Sequence, residues 1–137
     1  MTAIQAQRPA ARITVLIVDN LAHIRQGIRT LLQLTDDFEV VGEAANGLEA
    51  VQMAERFRPD IVIMDLKMPK MDGFEATRQI KSRHLAGGVI ALTLYGDQHN
   101  RERAAHVGAD AFIEKDEAVD TLEEKIREVF KSTLHSN

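Results

Sequence analysis

The feature that most constrains this chain is a regular alternation of short apolar runs with apolar stripes of helical spacing. The runs are rich in β-branched residues and cover residues 13–18, 38–44, 61–64, 89–92 and 111–113. Each is followed by a segment whose apolar residues recur at helical spacing, as Leu21, Ile24 and Ile28 do after the first run. Continuous apolar runs are typical of strands buried on both faces. The alternation therefore predicts a parallel sheet with helices on both of its faces.

Composition limits the class of protein further. The 137 residues include no cysteine, which excludes a disulfide scaffold, a thiolate metal site and thiol catalysis. The 17 basic and 21 acidic side chains give a formal net charge of −4, which argues against bulk electrostatic binding to nucleic acid. No apolar run approaches the roughly 20 residues of a membrane helix, and the N-terminus lacks the apolar stretch of a signal peptide. A cytoplasmic protein that does not associate with membranes is the expectation.

The same patterns divide the chain. Strand and helix signals begin at residue 13 and end near residue 130, so we expect one folded domain over residues 13–130. Residues 1–12 are expected to form a flexible N-terminal tail, and residues 131–137 a C-terminal tail. The helix expected over residues 97–107 has few apolar residues, which predicts that it is the least firmly held element.

Polar side chains stand at the carboxyl ends of four expected strands. Asp19 and Asn20 follow the first strand, and Asp65 follows the third. Thr93 follows the fourth strand, and Lys115 follows the fifth. Taken singly, each is more often a cap, a turn former or an ion-pair partner. Because the carboxyl ends of parallel strands share one edge of the sheet, where α/β proteins bind ligands, their coincidence favours a functional site.

The chemistry open to this set of side chains is narrow. Clustered side-chain oxygens suit Mg²⁺, which takes one or two carboxylates and keeps several waters. A carboxylate can also accept a phosphoryl group and form an aspartyl phosphate, while a metal, a lysine and a hydroxyl stabilise charge on the transferred oxygens. Asp65 is the expected nucleophile because it follows the most apolar strand, in the middle of the sheet.

The segment DIVIMDLKMPKMDG, residues 60–73, resembles the phospho-acceptor strand and loop of bacterial response-regulator receiver domains. Four further stretches resemble the NarL/LuxR-type subclass of these receivers: residues 25–29, 41–47, 92–95 and 115–116. The resemblance covers about residues 13–130. It implies a flavodoxin-like fold, a (βα)5 three-layer sandwich whose parallel five-stranded sheet has the order 2-1-3-4-5.

The resemblance also implies how the site works. Asp65 would accept a phosphoryl group from a sensor histidine kinase or a phosphotransfer protein. Mg²⁺ would be held by the side chains of Asp19, Asn20 and Asp65 and by the backbone carbonyl of Lys67. The domain would be a phosphoprotein of a two-component system and not an enzyme, beyond self-catalysed phosphorylation and dephosphorylation.

Three further residues would transmit the signal. Lys115 would contact the phosphoryl oxygens, Thr93 would move toward the phosphate, and Phe112 would respond as an aromatic switch, unless Phe112 is simply part of the core. The movement would reach the face made by the fourth helix, fifth strand and fifth helix and so change protein–protein contacts. A homodimer is among the implied partners, and DNA would be bound only through an output domain that this chain lacks.

The sequence departs from the receiver pattern at three positions. Family members usually have an acidic pair at the end of the first strand, whereas this chain has Asp19 and Asn20. The amide brings no charge, so weaker Mg²⁺ binding is expected. Leu94 stands where a small residue is common and is expected to narrow access to Asp65. Asp116 stands where many members have proline, so a trans peptide bond is expected before it.

Three alternative functions compete with that of a phosphorylated receiver. A pseudo-receiver would bind partners through the same surface without phosphorylation, because Asn20 replaces a metal-binding carboxylate. Retention of Asp65, Thr93 and Lys115 argues against full degeneration, since a protein that never used phosphate has no need for all three. A hydrolase of the haloacid-dehalogenase type is disfavoured because Lys67 stands where that class has a second aspartate. Nucleotide binding is disfavoured because no GxGxxG or P-loop motif follows the first strand.

Overall fold

Five strands alternate with five α-helices in the computed structural model, which describes residues 12–94 and 96–134. The strands are β1 (Ile13–Val18), β2 (Phe38–Ala44), β3 (Ile61–Asp65), β4 (Gly88–Thr93) and β5 (Ala111–Glu114). The helices are α1 (Ala22–Leu32), α2 (Gly47–Phe57), α3 (Gly73–Ser82), α4 (Gln98–His106) and α5 (Ala118–Leu134). A single 3₁₀ turn, Lys115–Glu117, joins β5 to α5.

All strand pairs are parallel, and the sheet has the order β2-β1-β3-β4-β5. This order confirms the predicted flavodoxin-like fold. The chain passes from β1 to β2 on one side and then returns to β3 on the other side of β1. The carboxyl ends of β1 and β3 therefore flank the point where strand order reverses, which is the usual place for a ligand site in this architecture.

Alternate residues of β1 divide the core into two layers. Val15 and Ile17 lie in a cluster with apolar residues of α1 and α5, including Leu32 and Ile126. Leu16 and Val18 face the other side, in a cluster with residues of α2 and α3. Strands buried on both faces explain why the apolar runs show no alternation of polar residues. The helices on both faces thus hold the strand ends in fixed register.

The end of α5 corrects one expected boundary. The helix continues to Leu134, so residues 131–134 are helical and do not belong to a tail. The segment after Phe130 contains no proline or glycine to end the helix, and Thr133 Oγ1 donates a 2.9 Å hydrogen bond to the Phe130 carbonyl. Residues 1–11 and 135–137, where the rest of the predicted tails fall, lie outside the described residues. Among the described helices, none combines the length and apolar character needed to span a bilayer.

Two arginine–aromatic contacts attach α4 to its neighbours. Within α4, Ala104 is the apolar residue that is buried, as expected for a helix of such polar sequence. The guanidinium carbon of Arg101 lies 4.5 Å from the centroid of the Phe112 ring, and that of Arg103 lies 4.0 Å from the Phe74 ring. Such contacts contribute about 0.5–1 kcal/mol each at exposed sites, so each of the two holds α4 only weakly.

Replacing Arg103 by alanine is expected to loosen α4 selectively. The loss of about 0.5–1 kcal/mol corresponds to amide hydrogen exchange that is roughly 2–5 times faster within the helix. Exchange measured by mass spectrometry or NMR checks this. Arg56→Ala is the matched control, because Arg56 also lies over a ring, that of its neighbour Phe57, but on α2. Unchanged exchange in α4 of Arg103→Ala would show that the Phe74 contact does not hold the helix.

Candidate functional site

Three charged side chains meet at the carboxyl ends of β1, β3 and β5. The Nζ atom of Lys115 lies 2.7 Å from Asp19 Oδ2 and 3.6 Å from Asp65 Oδ1. Asp19 is 0% exposed and Asp65 is 5% exposed, so both carboxylates are removed from bulk water. The pairing of β1 with β3 aligns Val18 with Met64 and thereby brings the next residues, the two aspartates, side by side. The ammonium of Lys115, whose side chain is 11% exposed, thus lies beside two buried carboxylates.

Asp19 is fixed by contacts to both its main chain and its side chain. Its N–H donates to the Ala44 carbonyl at 3.0 Å, and its Oδ1 accepts from the Leu21 N–H at 2.9 Å. Its carbonyl oxygen accepts from Nη1 of Arg25 at 2.6 Å. Oδ2 is buried and accepts no hydrogen bond of regular geometry within the described part of the chain, although the Lys115 ammonium is close. One carboxylate oxygen therefore points into the site with capacity for a cation.

Asp65 has an unusual acidity. Burial raises the pKa of its carboxyl group, and the negative charge of Asp19 raises it further. The Lys115 ammonium and the N–H of Lys67 lower it, but the balance is a pKa raised from 3.8 to about 6. Asp65 is thus ionised at neutral pH but is destabilised by its surroundings. A perturbed carboxylate in a cluster at the sheet edge is typical of functional sites.

The loop after β3 folds back tightly against Asp65. The N–H of Gly73 donates to the Leu66 carbonyl at 3.0 Å. A Cβ atom at Gly73 would lie 2.0 Å from the Asp65 carbonyl oxygen, so a larger residue would displace the backbone at the site. Asp72 then caps α3 by accepting from the Glu75 N–H at 2.9 Å. The loop therefore ends at Asp72, which caps α3, and the helix begins at Gly73, where there is no room for a side chain.

The other predicted site residues lie around this cluster. Asn20 is exposed and directly follows Asp19, and the exposed Lys67 directs its N–H toward Asp65 Oδ1 at 3.5 Å. Thr93 is 1% exposed and ends β4, the strand beside β3. Phe112 is half-buried in β5, where its ring packs under Arg101. The structure thus brings Asp19, Asp65 and Lys115 into contact and places Thr93 at the same edge.

Two departures from the receiver pattern can be located. Leu94 is 64% exposed. The Lys115–Asp116 peptide bond is trans, as expected for a bond that precedes a residue other than proline. Lys115 thus reaches both carboxylates although the peptide bond that follows it is trans.

The donor set at the edge fits Mg²⁺. Asp19, Asp65, the Asn20 amide and the Lys67 carbonyl offer hard oxygen atoms, and the buried Asp19 Oδ2 has capacity for a cation. A second acidic group, which was not predicted from the sequence, lies at the end of β5. Its members, Glu114, Asp116 and Glu117, have oxygens within 4.8 Å of one another, and two of the three are exposed. Exposed acidic groups of this kind are common without a metal, so the predicted ligands stay those at the ends of β1 and β3.

One contact at the site, between Arg25 and the Asp19 carbonyl, was not predictable from the sequence. Arg25 and Glu43 fall within stretches that resemble the NarL/LuxR-type subclass, but no periodicity connects them with Asp19. The structure shows that Arg25 reaches from α1 to the Asp19 carbonyl and also pairs with Glu43 of β2. A basic residue on the sheet-facing side of α1 and an acidic residue near the end of β2 are the signals that sequence offers. Neither identifies the partner.

Comparisons with known proteins agree with this architecture. The sequence model of the family described as "Response regulator receiver domain" matches residues 15–127. The transcriptional regulatory protein YdfI of Bacillus subtilis (strain 168) is 41% identical over 108 residues, which cover 79% of this chain and 50% of YdfI. The nitrate/nitrite response regulator protein NarL of Escherichia coli (strain K12) is 33% identical over 110 residues, which cover 80% of this chain and 50% of NarL. The chain therefore spans about half the length of these curated relatives.

Solved structures show the same fold. A two-component response regulator of the LuxR family from Aurantimonas sp. SI85-9A1 superimposes with a TM-score of 0.82 and 28% identity, covering 89% of this chain and 87% of that one. The response regulator domain of Thermotoga maritima CheB gives a TM-score of 0.82 and 30% identity, covering 88% of this chain and 98% of that one. Since a family match over most of the sequence coincides with this structural similarity, the chain belongs to the response regulator receiver domain family, whose members are signalling domains.

Proposed function

We propose that Asp65 accepts a phosphoryl group from a sensor histidine kinase or a phosphotransfer protein, and that the resulting acyl phosphate switches protein–protein contacts. The observation that carries this proposal is the buried cluster of Asp65, Asp19 and Lys115 at the point where strand order reverses. The chain takes up and loses the phosphoryl group on its own side chain and acts in signalling, in the cytoplasm. DNA binding, implied by relatives named as transcriptional regulators, belongs to a separate output domain.

The chemistry follows from the state of Asp65. Its pKa of about 6 leaves the carboxylate ionised at pH 7.5 and therefore able to act as a nucleophile. A carboxylate oxygen attacks the phosphorus of a phosphohistidine, a new P–O bond forms, and the P–N bond to the imidazole breaks. The electron pair of that bond stays on the imidazole nitrogen, which takes a proton from water. Lys115, already beside both carboxylates, contacts the new phosphoryl oxygens and neutralises part of their charge.

Asp19, Asn20, Asp65 and the Lys67 carbonyl would hold Mg²⁺. When bound, the ion supplies positive charge that stabilises the oxygens of the transferred group. Asp19 contributes a carboxylate whose orientation is fixed by the Leu21 and Ala44 hydrogen bonds. Asn20 contributes an amide oxygen without charge, so the pocket attracts a cation less strongly than an acidic pair would.

The switching step involves Thr93, Phe112 and α4. Thr93 ends the strand beside β3, from where its hydroxyl moves toward the phosphoryl group on Asp65. Phe112, half-buried under Arg101, then takes the space that Thr93 leaves. Because α4 buries little apolar surface, its two arginine–aromatic contacts are readily rearranged. The face formed by α4, β5 and α5 is therefore the proposed output surface, for a partner protein or a second copy.

Incubation with acetyl phosphate and Mg²⁺, followed by intact mass measurement, tests the proposal. A single phosphoryl adduct is expected on the parent protein. The adduct is expected to be absent from Asp65→Asn and to be much reduced when the metal is chelated. An adduct that persists in Asp65→Asn would place the phosphoryl group elsewhere and overturn the assignment of Asp65.

The variant Asn20→Asp distinguishes a phosphorylated receiver from a pseudo-receiver. A restored carboxylate about 4 Å from the ion is worth a few kcal/mol before desolvation is subtracted, so Mg²⁺ affinity should rise by about tenfold. The adduct should then form at correspondingly lower Mg²⁺ concentrations, as a titration followed by mass spectrometry measures. Gln26→Glu is the control, because it adds the same charge at an exposed position of α1. An adduct in Asn20→Asp but none in the parent would favour the pseudo-receiver alternative.

A further inference from the structure

The side chain of Arg25 bridges two parts of the chain that flank the acidic pocket. Its Nη1 donates to the Asp19 carbonyl at 2.6 Å, and its Nε donates to Glu43 Oε1 at 2.9 Å. The Arg25 side chain is 18% exposed and that of Glu43 is 30% exposed, so both contacts are partly buried. The guanidinium therefore joins α1, the end of β1 and the end of β2 at one point.

Glu43 holds this guanidinium in place. Its second oxygen, Oε2, accepts from Nε of Arg29 at 2.8 Å, so both carboxylate oxygens are engaged by arginines of α1. In the sheet, Glu43 pairs with Ile17 of β1, which lies two residues before Asp19. Burial alone raises the pKa of Glu43, but the hydrogen bonds and charges of Arg29 and Arg25 outweigh it and lower the pKa. Glu43 thus stays ionised and anchors Arg25 from the strand next to the site.

We propose that Arg25 is a positioning residue for the metal-binding loop: it fixes the peptide between Asp19 and Asn20 and thereby sets the affinity for Mg²⁺. This rests on the proposed function of the pocket. The carbonyl that accepts from Arg25 belongs to the same peptide plane as the Asn20 N–H. Fixing that plane fixes the position of the Asn20 backbone, and therefore the region that its exposed side chain can reach. It also restrains the Asp19 carboxylate. Asn20 has no charge with which to draw a cation, so the placement of its oxygen carries more of the affinity.

The geometry distinguishes this role from a plain electrostatic one. A positive charge near a cation site repels the cation, so removal of the Arg25 charge alone would strengthen Mg²⁺ binding. Loss of positioning weakens it, by about tenfold for outer residues that orient metal ligands. Lysine keeps the charge, but its single ammonium group lacks the fork that reaches the Asp19 carbonyl and Glu43 together. Arg25→Lys should therefore resemble Arg25→Gln.

The test is a Mg²⁺ titration of ¹⁵N-labelled protein followed by NMR. Parent, Arg25→Gln, Arg25→Lys and Arg29→Gln are compared, each also in an Asn20→Asp background. Both Arg25 variants are expected to bind Mg²⁺ about tenfold more weakly. Arg29→Gln is the matched control: it removes the same charge from the same helix and the same partner, Glu43, whereas the hydrogen bond to the Asp19 carbonyl comes from Arg25. It should change the affinity less than about twofold.

A second readout needs no metal. The Leu21 N–H donates to Asp19 Oδ1, so its hydrogen exchange, measured without added metal, should quicken in both Arg25 variants but not in Arg29→Gln. If neither background binds Mg²⁺, the proposed metal site fails, and the Leu21 amide still decides the positioning role. Equal affinities and equal Leu21 exchange in all variants, or tighter binding in Arg25→Gln, would overturn the proposal. A lower melting temperature without either change would mark Arg25 as merely structural.

Discussion

Asp65→Asn is expected to unfold at pH 7.5 with a free energy about 2 kcal/mol higher than that of the parent protein. The parent carboxyl group has its pKa raised from 3.8 to about 6, mainly by burial and then by the charge of Asp19. Because one pKa unit equals about 1.4 kcal/mol, an ionised Asp65 costs the folded state about 3 kcal/mol. The neutral asparagine amide removes this cost. Its contact with the Lys115 ammonium is less favourable than that of a carboxylate, so the net increase in the free energy of unfolding is smaller, about 2 kcal/mol.

The effect depends on pH in a defined direction. The folded protein binds the Asp65 proton more tightly than the unfolded chain, so this group makes stability fall as pH rises from about 4 to about 6. Above pH 6 the full cost is present, and below about pH 4 it is absent because the group is protonated in both states. The advantage of Asp65→Asn should therefore be largest above pH 6 and should vanish toward pH 4.

Urea unfolding of parent and variant at several pH values between 4 and 8 measures this difference. Asp60→Asn is a useful comparison, because Asp60 lies at the opposite end of β3 and accepts hydrogen bonds from Thr14, so that change should destabilise the protein. A constant difference between parent and Asp65→Asn across the pH range would show that burial does not perturb Asp65. We expect instead that the difference grows with pH, because the ionised carboxylate that makes Asp65 reactive lowers the stability of the folded protein.

The fold was predictable because its determinants are local and repeated. Apolar runs without alternation require strands covered on both faces, and helical stripes between them supply the cover, so β1 and its neighbours could be placed from residue type alone. The same logic placed Asp19, Asp65 and Lys115 on one edge. The end of α5 was less predictable, because residues 131–134 extend the helix through local hydrogen bonds while adding little apolar periodicity.

Other features of the site depend on three-dimensional distance. The raised pKa of Asp65 arises from burial and from Asp19, which is far away in sequence. The contact from Arg25 to the Asp19 carbonyl crosses from α1 to β1, and its anchor Glu43 lies on another strand. Residue types suggested that charges converge, but only the folded arrangement shows which carboxylate each cation contacts. The position of Lys115, closer to Asp19 than to Asp65, is such a case.

Lys115→Met is expected to lower the free energy of unfolding at pH 8 by about 3 kcal/mol. Removing one partner of a buried ion pair leaves the other charges uncompensated, which typically costs about 3–5 kcal/mol. Here two carboxylates, Asp19 and Asp65, would face each other without the ammonium that lies 2.7 Å from the first and 3.6 Å from the second. The pKa of Asp65 should rise further, so the variant should regain part of its stability as pH falls toward 5.

A double variant tests whether the loss comes from the facing carboxylates. In Asp65→Asn the repulsion between Asp65 and Asp19 is already gone, so adding Lys115→Met should cost less than it does in the parent, by about 1–2 kcal/mol. Lys125→Met serves as the control, because Lys125 pairs with Glu128 at 3.3 Å on the exposed side of α5 and should change stability by at most about 0.5 kcal/mol. The parent, the two single variants, the double variant and the Lys125→Met control are compared by urea unfolding at pH 5 and pH 8. If Lys115→Met costs the same in both backgrounds and at both pH values, the lysine contributes packing of its aliphatic stem, and the charge cluster is not what it stabilises.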